Sequence, residues 1–76
     1  MTKHEYMKEV KNLNAQIIER TRAAAKVEIV FGSNDQLVKK YWEEVEGLKQ
    51  QKQHAQRMAQ LHPKTRAKLE QDFANS

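Results

Sequence analysis

Almost nothing in this chain can stop a helix. Across 76 residues there is one proline, Pro63, and only two glycines, Gly32 and Gly47. These are the residues that punctuate turns, so a strand-rich fold with many reversals is excluded. Gly32-Ser33-Asn34-Asp35-Gln36 is the one dense cluster of turn formers, and Leu61-His62-Pro63 is the second break. The expected architecture is all-α. It has a helix over about 2–30, one over about 34–61 and a short one over about 63–74, in a single small domain spanning 1–76.

Apolar spacing supports this division. Tyr6, Val10, Leu13, Ile17, Ala24, Val27 and Phe31 recur at steps of three, four or seven, which places them along one helix face. The β-branched run Val27–Phe31 could also form a strand, but nothing else in the chain offers a partner strand, so helix is the expectation. Gly32 can take a left-handed conformation that closes the first helix. Ser33 and Gln36 have capping-box spacing for the second. Leu37, Val38, Tyr41, Val45 and Leu48 line one face of that second helix. Gly47 interrupts it at about 1 kcal/mol relative to alanine.

Folding the two long helices back at Gly32 pairs Ile17 with Leu48, Val10 with Ala55 and Tyr6 with Ala59. Each apolar position meets an apolar or small one, so an antiparallel hairpin is self-consistent. Arg20 and Lys52 fall on the same seam. A buried charge is costly unless paired, so each must reach an acid or the solvent, and Glu43 or Glu44 is the expected partner of Arg20. Beyond Pro63, Leu69 and Phe73 make a small patch at i, i+4 that can fold back on the hairpin. A second stripe, Met7, Ile18, Ala25 and Ile29, has no counterpart within one hairpin. It makes self-association into a helical bundle, as a homo-oligomer, the expected assembly.

Charge is unevenly placed. The net charge is +4, from 14 Lys and Arg against 10 Asp and Glu. Residues 1–48 are balanced, whereas 49–68 contain Lys49, Lys52, Arg57, Lys64, Arg66 and Lys68 and no acid. Such a stretch attracts an acidic protein surface or nucleic acid. Lys49, Gln53, Gln56, Arg57 and Gln60 share one side of the second helix, a pattern suited to phosphate contact and, through the amides, to base edges. No aromatic is interleaved for stacking, and the arms are too long for a helix-turn-helix. Lys64, Arg66 and Lys68 crowd the start of the third helix, where free N–H groups can also receive an anion. Trp42 lies about 100° around the helix from the seam residue Tyr41, where it either meets the third helix or anchors a partner.

Catalytic chemistry has no visible seat. There is no cysteine, no glycine-rich phosphate loop, and the serines are Ser33 at a cap and Ser76 at the end. His54 and His62 are about 12 Å apart by helical rise, too far for one metal ion. With 38% hydrophobic residues, neither a membrane span nor a secretory segment is expected, which points to a cytoplasmic chain. No catalytic residue, cofactor, metal or small-molecule substrate is expected. The expected function is a non-catalytic helical interaction protein, a small regulator, inhibitor or adaptor, acting through helix faces, Trp42 and the basic region. The alternative is a nucleic-acid-binding protein contacting phosphates through 49–68.

Overall fold

The computed structural model describes residues 1–75, of which 88% are helical, with no strand among them. Helix α1 spans Lys3–Phe31, α2 Gln36–Gln60 and α3 Pro63–Ala74. Helices α1 and α2 pack against each other as an antiparallel hairpin. The Val27–Phe31 run is helical, as expected from the lack of any partner strand.

The helix ends show how local chemistry sets these bounds. At the start of α1, the Thr2 hydroxyl accepts from the Glu5 backbone N–H at 3.2 Å, and the Glu5 carboxylate accepts from the Thr2 N–H at 3.0 Å. This reciprocal pair satisfies two donors that helix geometry leaves orphaned. Hydrogen bonding of the carboxylate to Thr2, first to its backbone N–H and then to its side chain, holds the Glu5 carboxyl below its ordinary range. The box expected at Ser33 and Gln36 does not form. Asp35 caps α2 instead, its carboxylate accepting from the Leu37 N–H at 2.8 Å. Aspartate is as strong an N-cap as serine, and its position moves the start of α2 to Gln36.

Gly32 makes the reversal possible. Its N–H donates to the Glu28 carbonyl at 2.8 Å, closing α1, and its dihedrals are φ 86° and ψ 158°. The positive φ was expected, but the extended ψ takes Gly32 out of the left-handed helical region into one that is essentially glycine-only. A Cβ at Gly32 would touch nothing within 4 Å, so the penalty for a side chain is purely one of backbone conformation. Gly47 is the opposite case: it lies in regular helix, and again nothing stands within 4 Å of an added Cβ. The two alanine variants should therefore move in opposite directions. Gly32→Ala should destabilise by about 1–3 kcal/mol, and Gly47→Ala should stabilise by about 0.5–1 kcal/mol. Urea melts of both variants check this, and a shift of the same sign in the two would contradict it.

The core follows the hairpin register. Tyr6, Val10, Ala55, Met58 and Ala59 form one buried cluster, which contains two of the three expected pairs. Ile17 and Leu48, the third pair, are each half-buried. Leu13, Ala24, Val38 and Val45 continue the seam toward the turn. Arg20 reaches Glu44 at 3.3 Å, with both side chains more than half exposed. An exposed pair of this kind contributes about 0–1 kcal/mol. Phe31 and Leu37, expected on the seam, are 56% and 43% exposed. The register explains this, because Phe31 falls opposite the polar turn residue Asn34 and has no apolar surface to meet.

Helix α3 closes the open end of the hairpin. Leu61 and Leu69 pack against the core cluster. The N-terminal ammonium of Met1 donates to Glu70 at 2.8 Å. That bond, with the Tyr6 hydroxyl and the nearby Arg66 charge, draws the Glu70 carboxyl below its ordinary range. Burial, followed by the hydrogen bond to Glu70, pushes the Tyr6 phenol up. No helix among the described residues is long and apolar enough to cross a membrane.

Candidate functional site

The acid-free stretch 49–68 occupies the second half of α2, the Leu61-His62 corner and the first half of α3. Its six bases do not share one surface. Lys49 is exposed and reaches Glu46 at 3.6 Å, one turn back on the same helix. Lys52 is half-buried beside the seam, and Arg57 is exposed in the last turn of α2. There the Arg57 charge complements the negative end of the helix dipole. Lys64 and Lys68 are exposed on α3. At 100° per residue they lie about 140° and 100° around the helix from Leu69, which faces the core. They therefore point outward from the corner.

Arg66 is the exception, and it corrects the expectation of an exposed contact residue. It is only 7% exposed, and its guanidinium donates to the Met58 carbonyl at 3.3 Å. The Met58 carbonyl, near the end of α2, also accepts from the Leu61 N–H at 3.3 Å, so the buried guanidinium is its second donor and meets the helix dipole with the right sign. Arg66 also faces Glu70 electrostatically. Its position lets it clamp α3 onto α2, and burial removes it from the surface a partner could reach. The sequence did carry the signal: Arg66, Leu69 and Phe73 fall at i, i+3 and i+7, along one stripe of α3.

The expected anion seat at the start of α3 is also partly filled. Pro63 has no N–H to offer, and the His62 ring accepts from the Lys64 N–H at 3.2 Å. His62 thus caps α3. His54 is exposed and packs edge-on against Phe73, with ring centroids 5.4 Å apart.

Four of the five exposed or half-buried bases in the stretch, Lys52, Arg57, Lys64 and Lys68, have no ion pair among the described residues. Their charge is uncompensated among the described residues. Trp42 lies apart from them. It is half-buried in a shallow depression of about 490 Å³ whose other lining residues, Lys39, Glu43, Glu46, Gly47 and Gln50, all come from α2. Helix α3 does not line that depression, and the acid-free stretch reaches it only through Gln50.

A different depression lies where α2 and α3 meet. It measures about 540 Å³ and is lined by His54, Arg57, Met58, Gln60, Leu61, Leu69 and Phe73. Its floor is apolar, its rim is polar or basic, and no acid lines it. Four other depressions of the described surface each include a glutamate. Compared with protein-family models, with curated proteins and with solved structures, the chain finds no match.

Proposed function

We propose that this chain is a non-catalytic helical interaction protein, a small regulator, inhibitor or adaptor, that binds an acidic macromolecular partner through its basic C-terminal region. The observation that carries this reading is the uncompensated charge of Lys52, Arg57, Lys64 and Lys68 in a stretch without a single acid. Unpaired exposed bases raise the local concentration of anionic ligands and speed their encounter. The test is binding of labelled polyglutamate and of a DNA duplex at rising salt. The reading expects polyglutamate to bind and to weaken with salt. A preference for the duplex, with the steep salt slope of phosphate neutralisation, would favour the nucleic-acid alternative.

The same reading includes self-association. The radius of gyration is 15.8 Å, against about 11 Å for a compact domain of this length. The accessible surface is 6037 Å², against about 4,800 Å² for a compact monomer of 8.9 kDa. The excess of about 1,200 Å² exceeds the ~800 Å² that one partner contributes to a standard interface. Much of it is apolar: Met7, Ile18, Val30 and Phe31 are at least half exposed, and Ile29 is 85% exposed. Sedimentation equilibrium at micromolar concentration should therefore show a dimer or larger species. A single 8.9 kDa species across that range refutes the assembly.

A further inference from the structure

The depression between α2 and α3 combines properties that the other surfaces hold separately. Met58 supplies a buried floor, Leu61 and Leu69 are half-buried walls, and Phe73 stands 57% exposed at one edge. Arg57, exposed and without an ion pair among the described residues, stands on the rim with His54 and Gln60. A volume of about 540 Å³ lies within the range of ligand-binding clefts.

We infer that this groove receives an acidic peptide segment of a partner protein, one bulky apolar side chain entering against Met58, Leu69 and Phe73 while carboxylates face Arg57. The inference rests on the acidic-partner reading above and adds the apolar anchor. Charge complementarity selects the occupant. Five of the groove's seven lining residues come from the acid-free stretch and none of the seven is an acid, whereas the other depressions present glutamates that would repel an acidic segment. The apolar floor decides between peptide and nucleic acid, because a phosphodiester backbone gains nothing from Met58 and Leu69, while a leucine or phenylalanine does. An amphipathic segment laid into a groove by anchors four positions apart is an established mode of peptide recognition.

The test uses the whole chain and two fluorescein-labelled peptides. One is a run of glutamates carrying leucine and phenylalanine four positions apart. The other has the same charge, with serine at both apolar positions. The apolar peptide should bind about tenfold more tightly at low salt. Phe73→Ala should abolish that preference while leaving the serine peptide's affinity unchanged, and Arg57→Gln should weaken both peptides. Circular dichroism confirms that the variants, both at exposed side chains, keep their helicity. Equal affinity for the two peptides overturns the groove and leaves the acidic-partner reading standing. A preference that survives Phe73→Ala in a folded protein also overturns it. Failure of both peptides to bind at low salt overturns the groove and the acidic-partner reading together. Tighter binding of a DNA duplex, indifferent to Phe73→Ala, replaces the peptide with nucleic acid.

Discussion

Reversing the charge of Arg66 should cost this protein more than any other single surface-type substitution in the basic stretch. Arg66→Glu would place a carboxylate where a guanidinium now donates to the Met58 carbonyl, in a position only 7% exposed. Two acceptors would then face each other, with Glu70 one turn further along the same helix. Leaving a buried charge without its partner costs about 3–5 kcal/mol. A chain of this length has only about 4–11 kcal/mol in total. Arg66→Met keeps the apolar packing and loses only the charge-assisted bond, worth about 1.5–3 kcal/mol. On a domain this small, 1 kcal/mol moves the melting temperature by about 4–8 °C. Arg66→Glu should thus lower it by roughly 15–30 °C, and Arg66→Met by about half as much. Thermal melts by circular dichroism check the order, and wild-type melting of Arg66→Glu would mean that Arg66 does not clamp α3.

The bases outside the core, three of them exposed and Lys52 half-buried, should behave in the opposite way. Replacing Lys52, Arg57, Lys64 and Lys68 together with glutamine removes four charges but no ion pair among the described residues. Stability should change by less than about 1 kcal/mol, as for substitutions away from buried features. Relief of mutual repulsion acts in the stabilising direction. Binding should respond strongly. Each charge contributes to attraction for a polyanion, and exposed charges are screened over about 8 Å at physiological ionic strength. The fourfold variant should lose polyglutamate affinity by at least about a hundredfold at low salt, from ~0.7 kcal/mol or more per charge. At high salt the two proteins should converge. This contrast with Arg66 would separate residues of one charge and one sequence segment into a structural one and four available to the proposed partner.

The two long helices and their register were legible because the relevant signals are local or repetitive. Turn formers cluster at Gly32–Gln36, and an apolar residue returns every three or four positions, so the fold-back that pairs Val10 with Ala55 and Tyr6 with Ala59 follows from counting. The exact cap did not, since Ser33 and Asp35 are both good N-caps and only the path of the turn selects Asp35. The Thr2-x-x-Glu5 box has the same spacing as Ser33 and Gln36, and of the two only the first forms both of its bonds. Arg66 was misassigned to the surface because composition counts charges without regard to facing. Its stripe faces α2 across the Pro63 corner, where Leu69 packs on the core cluster and Glu70 meets the Met1 ammonium from the far end of the chain. Phe31 went the other way, since periodicity assigns a residue to a face without saying whether anything stands opposite.

The central claim is that the uncompensated bases of residues 49–68 face an acidic partner, and residue-by-residue mapping tests it most directly. The uniformly ¹⁵N-labelled chain, titrated with polyglutamate at low salt and followed by amide chemical-shift changes, reports every contact at once. The account predicts shifts concentrated around Lys52, Arg57, Lys64 and Lys68, with the balanced region 1–48 unmoved and the changes reversed by added salt. Shifts centred on Trp42 or on the Met7, Ile18 and Ile29 stripe, with residues 49–68 silent, would contradict it.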